Sequence, residues 1–147
     1  KMDVEIKIDP GLQKPRIIIC TNALTAEITA LADRLSADHP SMITAISGDR
    51  IYLLDKKEIF RFYTEEQKTF VRCAQQTYRV KLRLYALEEM LSGSSFVRIS
   101  NSEIVNFGHV TSLDTSISGT ISLRMTNGDK AYVSRRYVSK IKKYLGL

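Results

Sequence analysis

Residues 96–106 read Phe96-Val97-Arg98-Ile99-Ser100-Asn101-Ser102-Glu103-Ile104-Val105-Asn106. Two short β-branched and apolar runs, 96–99 and 104–105, flank a polar run, Ser100-Asn101-Ser102, that has no turn glycine. Runs of this length and composition read as strands, and the polar run as the loop between them. Toward the C-terminus, Ile121, Leu123 and Met125 alternate with polar residues, Asn127-Gly128 gives a strong hairpin signal, and Ala131 and Val133 follow. A last helix is predicted over 135–145, with Ser134 as N-cap, Val138, Ile141 and Leu145 as its buried stripe, and Gly146 just past its end. Toward the N-terminus, Leu84, Leu87 and Met90 or Leu91 suit a short helix closed by Ser92 and Gly93. Before it, Tyr78, Val80, Leu82 and Leu84 alternate with Arg79, Lys81 and Arg83, an amphipathic strand. Strands are predicted over 59–63 and 69–74, joined by a polar loop over 64–68, with a turn at Gln75-Gln76-Thr77. A further hairpin pairs 43–46 with 51–54 around Ser47-Gly48-Asp49.

The first 41 residues have a different pattern. Val4, Ile6 and Ile8 alternate with Glu5 and Lys7, residues 16–21 are strand-like, and Leu24, Ile28, Leu31 and Leu35 recur at helical spacing behind Thr25, an N-cap candidate. Asp38, Pro40 and Ser41 form a break beside His39. The chain therefore reads as mainly β with few helices: a strand–strand–helix unit over 1–41, then a β domain over 42–147. Forty residues are marginal as an independent domain, so the first unit is expected to pack on the rest or on a second copy, which makes a homodimer the expected assembly.

The composition, 147 residues with 44% hydrophobic and 26% charged, fits a folded core. The longest apolar stretch, 17–20, is strand-sized, far from the roughly 20 residues a membrane helix needs. No secretory signal pattern stands at the N-terminus. Cys20 and Cys73 belong to no CxxC pair and read as reduced thiols, and a cytoplasmic location is expected. The net charge of +6 is uneven: residues 1–50 hold 6 Lys/Arg against 7 Asp/Glu, and residues 51–147 hold 16 against 9. A basic half of this kind suits a polyanion partner as well as it suits a merely solvated surface.

Catalysis finds no support. His39 and His109 are the only histidines, and no HExxH, GxSxG, phosphate-binding glycine loop or metal-ligand cluster is present. Glu65-Glu66 and Glu88-Glu89 read as solvated charges. No enzyme activity, cofactor or metal is expected. Nucleic-acid binding has more behind it. Lys68 lies in a loop, Arg98 precedes the polar run, and Arg135, Arg136, Lys140, Lys142 and Lys143 lie on the last helix, which has no acid. The dipole favours cations near a helix C-terminus, but Arg135 and Arg136 sit at the opposite end, where an anionic partner would compensate them. In the polar run, Asn101 can pair bidentately with adenine and Ser100 or Ser102 can hold phosphate, or the run can simply satisfy its own backbone.

These residues resemble a known family. The stretch 96–106 is similar to the FxRIHRSYIVN core of LytTR domains. Gly128-Asp129-Lys130-Ala131-Tyr132-Val133-Ser134-Arg135-Arg136-Tyr137 is similar to the family's G…VSRRY ending, and residues 82–91, LRLYALEEML, to its LxxLEExL segment. The resemblance covers about 42–147. It implies a bacterial transcription regulator with an elongated arrangement of small β-sheets that reads double-stranded DNA from loops, commonly at direct repeats. Residue by residue it places base reading at Gln67, Lys68 and Thr69, at Asn101, and at Arg136 with Arg135 beside it. Ser100-Asn101 replaces the frequent His-Arg, and Glu103 replaces an aromatic, so Glu103 is expected to point away or pair with Arg98. Only about 41 residues precede the domain here, too few for a receiver domain. Short stand-alone relatives are often restrained by a small membrane protein, an expected partner of the first unit; the chain itself is not expected to insert into a membrane. The rival readings are a non-enzymatic protein–protein adaptor and an RNA-binding β module with exposed stacking aromatics.

Overall fold

The computed structural model describes residues 2–36 and 42–147. The chain divides into two compact units, Lys1–Ser36 and Ala37–Leu147. The break expected around Asp38, His39, Pro40 and Ser41 lies outside the described residues.

The first unit holds one helix, α1 (Ala26–Ser36), capped by Thr25 as expected: its Oγ1 accepts the Ile28 amide at 3.2 Å. The strands predicted over 4–8 and 16–21 do not form. Alternation of apolar side chains is only half of a strand; the other half is a partner strand for the backbone N–H and C=O groups, and the described residues of this unit supply none. Val4, Ile6, Ile8, Ile17, Ile18 and Leu24 are all more than 60% exposed within it.

The second unit is antiparallel β. Its strands are β1 (Met42–Ser47), β2 (Arg50–Asp55), β3 (Arg61–Glu65), β4 (Lys68–Arg72), β5 (Thr77–Val80), β6 (Phe96–Ser100), β7 (Glu103–Asn106), β8 (Val110–Asp114), β9 (Ile121–Met125) and β10 (Lys130–Val133). Two helices, α2 (Leu84–Met90) and α3 (Val138–Leu145), complete it. One sheet has the order β2-β1-β5-β4-β3-β7-β6, the other β10-β9-β8. The β1–β2 hairpin joins the larger sheet through a single residue pair, Ile46 with Arg79. β5 stops at Val80, well short of the predicted amphipathic strand, because Leu84 is already needed by α2, where it is buried beside Leu87.

β6 and β7 are buried on both faces, which is why their sequences run apolar instead of alternating. Phe96 and Ile104 join Phe62, Val71, Leu84, Leu87 and Leu91 in a core beneath α2. Their neighbours Val97, Ile99 and Val105 point the other way and join Ile121, Leu123, Met125, Ala131, Val133 and Ile141, the core between the smaller sheet and α3. Each such Val, Leu, Ile, Phe or Met side chain contributes about 1.5–3 kcal/mol on burial. α3 ends as expected: Gly146 adopts φ 74°, and its N–H reaches the carbonyls of Lys142 and Lys143. No helix among the described residues is long and apolar enough to cross a membrane.

An ion cluster clamps the two sheets together. Asp129, in the β9–β10 turn, accepts Arg72 Nε at 3.0 Å and lies 3.8 Å from Arg61 Nε. Asn127 Nδ2 donates to the Ala74 carbonyl at 3.1 Å. Burial works against the charge of Asp129. Hydrogen bonds from Arg72 and Asn127, with the charges of Arg72 and Arg61, outweigh it and hold the carboxyl below its ordinary value. A carboxyl depressed on folding contributes stability that is present above its unfolded value and is lost as pH falls through the folded one. Wild type minus Asp129→Asn, compared by urea unfolding from pH 7 to pH 2, should show a stability difference that shrinks as pH drops below the ordinary 3.8. A pH-independent difference would mean that the charge of Asp129 does not hold the clamp.

Candidate nucleic-acid interface

Three loops meet at one end of the larger sheet. β3 and β7 are antiparallel neighbours, Tyr63 opposite Glu103, so the tips of the β3–β4 and β6–β7 hairpins lie side by side. The Thr64 amide donates to the Ser102 carbonyl across them at 2.9 Å. The third loop follows β10. The Ser134 amide donates to the Ile99 carbonyl at 2.9 Å, and residues Arg135–Tyr137 then form a single 3-10 turn before α3. The last helix thus begins three residues later than its sequence suggests. Ser134 makes no side-chain cap bond, and its Oγ is buried without a partner.

The β3–β4 tip is tighter than the predicted loop over 64–68. Glu65 pairs with Lys68, leaving only Glu66 and Gln67 in the turn, at φ 51° and 63°. Among the described residues these are the only non-glycine positions with positive φ. Left-handed backbone costs a side-chain-bearing residue about 1–2 kcal/mol, and such strain collects at functional sites. Lys68 opens β4 and is exposed. Thr69 is 6% exposed and lies between Thr64 on β3 and Val80 on β5. A base-reading role for the Thr69 side chain is therefore corrected: it is spent on the sheet that holds Lys68.

The β6–β7 tip is a two-residue turn, Asn101-Ser102. Ser100 Oγ accepts the Ser102 amide at 3.2 Å and lies 3.3 Å from Ser102 Oγ, so these serines satisfy the turn itself. A register shift between Arg98 and Ser100 accompanies the turn. Arg98, 13% exposed, does not project to solvent: it donates Nε to the Ser100 carbonyl at 2.7 Å and Nη2 to the Asn101 carbonyl at 2.6 Å, and it pairs with Glu88 at 3.1 Å. Its expected place on the interface becomes a supporting one beneath it. Asn101 stays exposed, with Oδ1 accepting the Tyr137 hydroxyl at 3.4 Å.

Of the two alternatives the sequence left for Glu103, pointing away or pairing with Arg98, the pairing does not form: Glu103 pairs with Arg61 at 3.2 Å on the opposite face. Burial pushes its carboxyl up, against the pull of Arg61. Arg135 and Arg136 are exposed on their turn. Lys140 is half-exposed and reaches Glu88 at 3.5 Å, so part of its charge is already matched. Glu88, read from sequence as a solvated charge, is therefore partnered, and sequence reasoning gave Tyr137 no role of its own. Tyr137 stood inside the VSRRY-like motif, but nothing in its spacing showed a hydroxyl aimed at Asn101. Elsewhere, His109 stacks on Phe60 at 4.0 Å with its Nε2 on the Lys57 carbonyl, a structural histidine. Among the described residues no His/Cys/Asp/Glu group is arranged to hold a metal.

The profile of the LytTr DNA-binding domain matches residues 49–146, strands β2 to β10 and both helices of this unit included. The chain belongs to the LytTR family. A LytTR domain solved from a Bacillus cereus protein superposes with a TM-score of 0.71 at 29% identity, covering 74% of this chain and 99% of that one. The sensory transduction protein LytT of Enterococcus faecalis is 32% identical over 99 residues, which are 67% of this chain but 41% of that protein; for LytR of Staphylococcus haemolyticus the shares are 84% and 50% at 27% identity. The chain thus spans half or less of the length of these two relatives. An uncharacterized HTH-type transcriptional regulator of Staphylococcus aureus is 26% identical over 148 residues, 92% of this chain and 100% of that protein.

Gln67→Gly removes the side chain from a left-handed position in a two-residue turn where glycine is favoured, and should raise stability by about 0.5–1 kcal/mol after the added entropy of the unfolded chain. Urea unfolding measures it. A loss of stability would show that the Gln67 side chain holds the hairpin.

Proposed function

We propose that this LytTR chain is a non-enzymatic transcription regulator that binds specific double-stranded DNA with the three clustered loops. Asn101 and Arg136 read bases, Gln67 and Lys68 meet an adjacent stretch, and Arg135, Lys140, Lys142 and Lys143 contact phosphates. The observation that carries this reading is the convergence of the two hairpin tips and the Arg135–Tyr137 turn at one sheet end, with Asn101 and Arg136 exposed there. Asparagine and arginine are the side chains that pair bidentately with adenine and guanine edges. Direct repeats would accommodate two such domains on one face of the duplex. The RNA alternative finds less support: the well-exposed tyrosines, Tyr85, Tyr132 and Tyr144, lie on α2, β10 and α3, not in a row on one sheet.

Residues 1–41 serve, in this reading, as the self-association arm. The exposed Val4, Ile6, Ile8, Ile17 and Ile18 give a second copy apolar surface to cover, and a small membrane protein of the kind the resemblance implies would compete for it.

The test titrates wild type, Arg136→Ala and Lys142→Ala against a duplex selected by the wild-type protein from a random pool, and against its scrambled counterpart. With roughly 4–8 phosphates neutralised, wild-type log affinity should fall against log salt with a slope of about −4 to −7. Arg136→Ala should lose roughly 10- to 100-fold on the selected duplex and little on the scrambled one, and Lys142→Ala should weaken both alike. An equal loss on both duplexes for Arg136→Ala would make Arg136 a phosphate contact and refute its base-reading role.

A further inference from the structure

Five side chains from α2, β6, the β6–β7 turn, the 3-10 turn and α3 close a ring behind the clustered loops. Glu88 on α2 is its anion. One carboxylate oxygen, Oε1, accepts Arg98 Nη1 at 3.1 Å, and the other, Oε2, meets Lys140 Nζ at 3.5 Å. Arg98 passes the connection to the turn through its bonds to the Ser100 and Asn101 carbonyls. Asn101 Oδ1 takes the Tyr137 hydroxyl, and Lys140 Nζ lies 5.6 Å over the Tyr137 ring, which returns the circuit to Glu88. Strand geometry dictates the arrangement. Arg98 sits opposite Ile104, on the face that packs under α2, which brings its guanidinium within reach of a carboxylate on that helix. Tyr137 and Lys140 are three residues apart at the start of α3, so they lie on one side of it.

We propose that Glu88 is a specificity-determining positioning residue: without touching DNA, it fixes Asn101 relative to Arg136 by holding Arg98 with one oxygen and Lys140 with the other. This rests on the DNA-reading function proposed above. A carboxylate behind a phosphate-binding face has two opposed effects. Its negative charge lowers affinity for every duplex, because it offsets cations that phosphates would otherwise use. Its tether raises affinity only for the duplex whose bases match, because a bidentate contact is lost when its partner is free to move. A residue that merely stabilised the fold would move both affinities down together. A residue that merely repelled DNA would move both the same way when removed. Only a positioning anion moves them apart.

The experiment uses the full chain, the selected duplex and the scrambled duplex at one salt concentration, with Glu88→Gln and Tyr137→Phe. Glu88→Gln keeps the size of the side chain and removes the charge. It should raise affinity for scrambled DNA roughly 2- to 3-fold and lower affinity for the selected duplex roughly 10-fold. Tyr137→Phe opens the ring at Asn101 without changing any charge. It should leave scrambled DNA unaffected and weaken the selected duplex roughly 3-fold, a net hydrogen bond's worth. Equal factors on both duplexes for Glu88→Gln would overturn the proposal. Should that variant lose its fold by circular dichroism, Tyr137→Phe decides, and an unchanged ratio of the two affinities overturns it. A wild-type protein that does not discriminate the duplexes would remove the DNA-reading function, and this proposal with it. Discrimination that survives both substitutions would remove this proposal alone.

Discussion

The β6–β7 hairpin is buried on both faces, and most of what the domain does follows from that. Residues 96–106 carry one core under α2 and a second between the smaller sheet and α3, so the hairpin cannot shift register without moving apolar side chains from one core to the other. Asn106 anchors its base: buried, it donates to the Ile59 carbonyl at 2.9 Å and accepts from Ser95 and Gly108. With the base and both faces committed, the tip alone is left to present Asn101. Neighbouring loops come to the same place because they belong to strands paired or packed with this hairpin.

Charge in the domain is less available than its total suggests. Arg61 and Arg72 clamp Asp129, Arg61 also meets Glu103, and Arg98 and Lys140 share Glu88. Partly buried pairs of this kind spend cations on architecture. Arg135 and Arg136 stand outside these pairs, exposed on a turn with no acid of its own. The basic half of the sequence is thus divided between holding loops in place and offering charge to a polyanion.

Much of this was legible in sequence because local rules decided it. Gly48, Gly128 and Gly146 sit where turn and helix-end chemistry place them, each with positive φ. The alternation in β9 and β10 and the stripe of α3 fix which side chains are buried. Where a reading missed, a partner distant in the chain decided the outcome. The family resemblance placed base reading at Thr69, but its side chain is spent between β3 and β5. Arg98 looked like a free cation, but its partner Glu88 comes from a helix packed on the strand's face, and Glu103 found Arg61 on β3. Residues 4–8 alternate as strands do, yet their unit gives them no ladder. Among the loops themselves, the sequence pointed to Lys68, Asn101 and Arg136, but the convergence of the three segments depends on pairings of β3 with β7 and of Ser134 with Ile99, which no local pattern encodes.

The central claim is that these three segments form one DNA-facing surface. Backbone amide chemical shifts of the full chain, followed by NMR while the selected duplex is added, test it most directly. The account predicts the largest changes at residues 66–68, 101–102 and 135–137 together, with little change in the β1–β2 hairpin and around His109. Changes concentrated on β1–β2 or α2, with the three loops unmoved, would contradict it.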